Sequence, residues 1–310
     1  MAAGRRLTVL LLAVLAVPAH ATTINGPTTA RKIGTTDGNK VVSDGARWIL
    51  FGATSKGKLV LYDGVKHRRL VLHRQCLAQW GTAGAFLLAC DSDNHPEILD
   101  PSTQLFHRPK GAEAGDRFSK IGQEWIEGST AGECVESGPC GEDVFVNWRT
   151  GERQVCTYTA GPKSRCAYDF MNLDRRQLTQ APWAYSEFLG YDRPYWLAED
   201  QGVLTLHRPG HHQAIARTNT CDPWLASGTA TWTDHCEEHR KVHLVAFNVR
   251  KKKRKVWTIA GLNPTSKIDS QMVTSAHAGG SAFVQVARTF MSQSTLRLVA
   301  TYSLYEVPMS

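Results

Sequence analysis

The chain has 310 residues, a net charge of +8 and eight cysteines. Beyond its first residues no segment is apolar and long enough to anchor in a bilayer, which takes roughly 20 residues. The basic surplus favours acidic partners, and an even cysteine count in an exported chain argues for disulfides.

The first segment reads as an export signal. Arg5 and Arg6 precede the apolar stretch Leu7–Val17, and Ala19-His20-Ala21 supplies a small-residue cleavage motif. Cleavage after Ala21 predicts a freely secreted mature chain of residues 22–310, forming one domain, with a monomer expected.

Paired hydrophobic runs follow in chain order. Trp48–Ala53 leads to Leu59–Tyr62, Ala85–Ala89 to Glu97–Leu99, and Glu124–Ile126 to Val144–Trp148. Tyr195–Ala198 then leads to Val203–Leu206, Thr229–Thr233 to Val242–Phe247, and Ala282–Ala287 to Leu296–Ala300. Turn formers follow the second runs: Asp63-Gly64, Asp100-Pro101-Ser102, Asn147 through Gly151, and Arg208-Pro209-Gly210. The unit recurs at about 40 residues and is stretched once by an insertion at about 159–190. No comparable window carries helical spacing.

Short strands in a four-strand unit of this length are the pattern of a propeller. Over residues 40–306 the chain resembles bacterial secreted β-propellers of the WD40-like and TolB-like kind. The resemblance implies an all-β fold, a β-propeller of six blades, with five or seven as alternatives and a large β-sandwich as the competing architecture. It implies no activity, since function does not follow from fold.

The cysteines fall into four sequence-local couples: Cys76–Cys90, Cys134–Cys140, Cys156–Cys166 and Cys221–Cys236. The middle four can exchange partners. None has the C-x2-C spacing of a zinc site.

Taking each second run as the third strand of a blade sorts the loops onto two faces. The loops between second and third strands carry Asp91, Asp93, His95, the Cys134–Cys140 loop, Glu199, Asp200, Asp234, His235, Glu237, Glu238 and His239. The turns between third and fourth strands carry Lys66–Arg69, Arg149, Arg153, Arg208 and the run Arg250, Lys251, Lys252, Lys253, Arg254 and Lys255. One face is expected to be acidic with histidines, the other basic. The run suits an anionic polymer through counterion release. Its other reading is a solvated hairpin tip.

His235-Cys236-Glu237-Glu238-His239 matches H-x-x-E-H, but zinc chemistry there needs both histidines on a helix, and the segment lies between strands. Asp91-Ser92-Asp93-Asn94-His95 begins like a calcium loop but has Pro96 at the glycine position. No metal site is assigned and no cofactor is expected, with calcium or zinc as minor alternatives. No G-x-S-x-G, P-loop or dinucleotide motif occurs. Tyr185 and Tyr191, in an aromatic and arginine-rich stretch, are candidates for glycan or protein contact. The expected function is therefore a non-catalytic secreted propeller. Its partner is an extracellular protein, a polysaccharide or an anionic cell-wall polymer, approached through Asp91, Asp93, His95, Asp200, His235, Glu238, His239, Tyr185 and Tyr191. The alternative is a metal-dependent propeller hydrolase, lactonase-like or glycan-cleaving, with Asp93, Glu199 and Glu237 meeting at the axis.

Overall fold

A computed structural model describes residues 23–28, 30–37, 41–53, 58–82, 84–90, 95–130, 142–156, 173–177, 187–192, 194–200, 202–217, 220–234, 243–259, 273–291 and 298–309. The described elements are all strands. The N-terminal strands β1 (Thr23–Thr28) and β2 (Arg31–Thr36) precede the blades. Blade I is β3 (Val42–Ser43), β4 (Trp48–Ala53), β5 (Lys58–Asp63) and β6 (Arg68–Leu72). Blade II is β7 (Cys76–Thr82), β8 (Ala85–Cys90), β9 (His95–Asp100) and β10 (Leu105–His107). Blade III is β11 (Arg117–Ile121), β12 (Trp125–Ser129), β13 (Asp143–Asn147) and β14 (Arg153–Cys156). Blade IV is β15 (Glu187–Asp192), β16 (Tyr195–Asp200), β17 (Val203–Arg208) and β18 (His211–Arg217). Blade V is β19 (Thr220–Ala226), β20 (Thr229–Asp234), β21 (His243–Asn248) and β22 (Lys253–Ile259). Blade VI is β23 (Val273–Ala278), β24 (Ser281–Met291) and β25 (Leu298–Pro308), with β2 as its fourth strand. The fold is a six-bladed β-propeller, and the second hydrophobic run of every unit is the third strand of its blade.

The hydrophobic runs are continuous because blades stack face to face. Alternate residues of a strand point to opposite sides, and here both sides are seams. In β4, Ile49 and Phe51 pack into the seam with blade VI, while Leu50 packs into the seam with blade II. In β5, Val60 and Tyr62 go one way, Leu59 and Leu61 the other. Blade V divides likewise, with Trp232 and Val245 facing blade IV and Leu244 and Ala246 facing blade VI. Full burial of each large apolar side chain stabilises by about 1.5–3 kcal/mol. Fourth strands lie on the rim and are polar. In β6 only Leu72 is buried.

First strands ring the axis: β11, β7 and β3 touch in series, and so do β3, β23, β19 and β15. Four of them carry a register shift against their second strand: β7, β11, β15 and β19. These bulges bend the inner strand where blades converge, and they break the alternation that a sequence pattern relies on.

Both chain ends close the ring. β2 pairs antiparallel with β25, so the N-terminus supplies the outer strand of the last blade. β1 pairs parallel with β22 and adds a fifth strand to blade V. The N-terminal segment thus straps the outer edges of blades V and VI together. The sequence resemblance, which begins near residue 40, misses this closure, because a pairing such as Arg31 with Glu306 leaves no local signal.

Candidate anion-binding face

Four turns between third and fourth strands share one construction. Asp63 Oδ1 accepts from the backbone N–H groups of Val65 and Lys66, both at 3.0 Å. Asp100 Oδ1 accepts from Ser102 and Thr103 N–H at 2.8 and 3.3 Å. Asn147 Oδ1 accepts from Arg149 and Thr150, and Asn248 Oδ1 from Lys251. The fourth residue after each is left-handed: His67, Gln104, Gly151 and Lys252. A short side chain that accepts from the backbone two or three residues ahead fixes such a turn. The remaining turn side chains are thereby free to face solvent.

On consecutive blades those free positions are cationic. In blade V, Arg250, Lys251 and Lys252 are exposed in the turn, and β22 continues with exposed Lys253 and Lys255. Strand alternation gives Lys253 and Lys255 the same side as Trp257, which packs in the seam with blade VI. Arg254 turns the other way, with its guanidinium 5.6 Å from the Trp232 ring centroid. Its Nε is buried without a partner. Sequence reading placed this whole run in a turn; the structure makes half of it strand and turns one member inward.

Blade VI contributes exposed Arg31 and Lys32 from β2, and blade I contributes exposed Lys66, Arg68 and Arg69. Arg69 Nη1 lies 3.6 Å from where a Cβ on Gly34 of β2 would stand, so the patch crosses the seam without a break. Arg208 and His211 extend it onto blade IV. Lys32, Lys66, Arg68, Arg69, Arg208 and Arg250–Lys253 form no ion pair with a described residue.

Acidic groups at this edge are buried and already paired. Asp63 accepts from Arg47 Nε and Nη2 at 3.0 and 2.5 Å. Burial alone would raise its carboxyl; the Arg47 guanidinium and the backbone N–H groups outweigh that and hold it at about 2. Glu306, 2% exposed, is the centre of a cluster at the seam of blades VI and I. It accepts from Arg31 Nη2 at 2.5 Å, Tyr62 Oη at 2.8 Å and Ser281 Oγ at 3.2 Å, and His67 Nδ1 stands 3.0 Å away. Burial and the bond to the Glu306 carboxylate push the Tyr62 phenol up. Because Arg31 and Glu306 lie on the two terminal strands, this cluster is a side-chain clasp on the closed ring.

Two indoles from opposite blades meet across the axis: Trp80 of β7 and Trp224 of β19 approach to 6.4 Å between ring centroids. On the side of the turns between first and second strands, Ser227 Oγ donates to Gly45 O at 3.2 Å and Gly279 N–H donates to Ala46 O at 2.8 Å. Gly279 is left-handed and a Cβ there would collide with the Gly64 backbone, so only glycine fits. His277 of β23 is buried beneath this closure. Its carbonyl accepts from Ser43 Oγ at 2.5 Å, while its Nδ1 is buried without a partner. Burial pulls its imidazole down to about 4, opposed in part by the Asp192 carboxylate. Among the described residues, the three-member group of ligating side chains is Cys76, Cys90 and Glu97. Its two cysteines are bonded to each other, so it offers no cation site.

Residues singled out in the sequence fall as follows. Cys76–Cys90 forms the disulfide expected of it. Cys156 and Cys221 are also disulfide-bonded, with partners outside the described residues. His95 opens β9 opposite Cys90, partly buried. Glu199 and Asp200 end β16 rather than lying in a loop. His243 opens β21, 3.7 Å from Asp234. Asp91, Asp93, Tyr185, His235, Glu238 and His239, like Cys134, Cys140, Cys166 and Cys236, lie outside the described residues, as do the side chains of Asp200 and Tyr191. Arg153, expected on the basic face, is neutralised by Asp116 at 2.5 Å and Glu113 at 3.2 Å. The Glu306 cluster and His277 escaped sequence reading. Their one signal is a charged or polar residue inside an otherwise apolar strand, as in Leu304-Tyr305-Glu306-Val307.

No family model and no curated protein matches the chain. Solved structures match it in fold. An acylaminoacyl peptidase from Pyrococcus horikoshii aligns at a TM-score of 0.50 and 10% identity, over 88% of this chain and 52% of the peptidase. TolB from Acinetobacter baumannii aligns at 0.36 and 11% identity, over 82% of this chain and 60% of TolB. The calcium-binding protein regucalcin from Agrobacterium tumefaciens aligns at 0.36 and 13%, over 91% and 92%. At such identities the likeness is one of fold alone.

Proposed function

We propose that this chain is an exported, non-catalytic binding propeller whose basic edge holds an anionic polysaccharide at the outside of the cell. The observation that carries the reading is the run of exposed cations over blades IV, V, VI and I, whose local acids are buried and paired already. Export is supported by the charged and apolar layout of residues 1–21 and by the Cys76–Cys90 disulfide, which belongs to an oxidising compartment. Among the described residues no helix is long and apolar enough to cross a membrane.

An extended polyanion suits the edge because its charges, like the lysines and arginines, recur along a line. Each contact releases counterions, so binding weakens linearly in log salt. The test is titration of the purified mature chain with heparin, as a model acidic polysaccharide, and with neutral dextran over a salt series. Heparin affinity is expected to fall by roughly 100-fold or more between 50 and 200 mM salt, with no binding to dextran. Salt-independent heparin binding, or none at low salt, contradicts the proposal.

A further inference from the structure

Blade IV carries an aromatic ladder across three strands. Trp196 of β16 lies opposite His207 of β17, and His207 lies opposite His212 of β18. The Trp196 and His207 rings stack at 5.4 Å with 12° between planes, and the His207 and His212 centroids are 6.0 Å apart. The ladder occupies the opposite side of the sheet from Leu197 and Leu206, which pack into the seam with blade V. His207 is partly buried and held against the indole; His212 is exposed.

We infer that His207 and His212 form a two-histidine site for a borderline divalent metal ion such as zinc or nickel. Imidazole nitrogens bind zinc at about 2.0–2.1 Å, which places two rings at a tetrahedral ion about 5 Å apart, centroid to centroid. The observed spacing is therefore about 1 Å too open, and rotation of the exposed His212 side chain closes it. His207 is already fixed by its stack on Trp196, so little ordering remains. Metal ligation needs neutral imidazole. Burial, and then the charge of His212, lower the His207 pKa, in the direction of that form. His211, the intervening residue of β18, pairs with Arg208 and projects to the other side. With two protein ligands, the ion keeps its remaining positions for water or for an anion.

The experiment is calorimetric titration of untagged wild-type protein with zinc chloride and, separately, nickel chloride, alongside His207→Ala, His212→Ala and His211→Ala. The site predicts a binding event weakened by at least roughly tenfold in His207→Ala and in His212→Ala, and kept in His211→Ala. Because Trp196 stacks on His207, nickel is also expected to quench a component of tryptophan fluorescence that Trp196→Phe removes. Isotherms that are the same in wild type and the His207→Ala and His212→Ala variants overturn the proposal. So does an equal loss in His211→Ala, which would mean unspecific histidine binding at the surface.

Discussion

The rims of blades V and I and the rims of blades II and III are built on the same turn and present different surfaces. Asp63 and Asn248 anchor turns that project Lys66, Arg250 and Lys251, whereas Asp100 anchors a turn that projects Ser102 and Thr103. In blade III, Arg149 lies 4.1 Å from the Trp148 ring and donates to Gln123 O, and Arg153 is held by Asp116 and Glu113. Backbone geometry consumes one acceptor and one left-handed position per turn, and leaves the other side chains to vary. Charge is therefore a property laid over the fold and not required by it. Tightly packed like charges repel one another, and the proposed polyanion would relieve that repulsion.

Different contacts hold the seam of blades VI and I and the inside of blade II. Blades VI and I are joined by the clasp at Glu306, blade II by a disulfide. Removing Glu306 strands the buried Tyr62 and Ser281 hydroxyls, at roughly 1–3 kcal/mol each, while the half-exposed Arg31 and His67 regain water. Glu306→Ala is accordingly expected to be the largest single effect, read as a lower urea midpoint. A loss below about 1 kcal/mol would reduce the clasp to a surface contact.

Acid should act mainly through the axis. The unfolded His277 ring titrates near 6.5 and the folded one near 4. Between these values the unfolded chain binds the extra proton, so stability is complete above pH 6.5 and declines as pH falls toward 4. The loss is about 3 kcal/mol, and His277→Leu should flatten that part of the stability profile. An unchanged slope in the variant would assign the acid sensitivity elsewhere. Replacing Cys76 and Cys90 together should cost about 3 kcal/mol or somewhat less, for a separation of 14 residues, measured by thermal unfolding under non-reducing conditions. Asp100→Ala and Asn248→Ala, which remove equivalent turn acceptors from the two halves, should each cost about 1 kcal/mol. A clear difference between them would show that the shared turn is not energetically equivalent.

Legibility in the sequence followed the same physics. Second and third strands were readable because both of their faces lie in seams, which makes them continuous apolar runs such as Trp48–Ala53. First strands were not, since bulges interrupt them: Gln79 in β7 and Asp222-Pro223 in β19 fall where the register shifts. The N-terminal closure was invisible because its partners are far apart in the chain. At the candidate site, the density of Arg250–Lys255 and its sharing a face with Lys66–Arg69 were plain, but not that Arg254 folds in over Trp232, nor that Arg31 and Lys32 of β2 lie between them on blade VI. Continuity across blades is a property of ring order, which a linear run does not display.

The most direct test removes equal charge from each half. One variant carries Lys66→Gln, Arg68→Gln, Lys251→Gln and Lys253→Gln; the other carries Arg108→Gln, Lys110→Gln, Arg117→Gln and Arg149→Gln, all at exposed positions. Heparin affinity of both is measured at one low salt concentration. The account predicts a loss of at least roughly tenfold in the first variant and no more than about twofold in the second, as expected if local contacts rather than overall charge govern binding. Equal losses in the two would contradict it, leaving net charge alone as the cause.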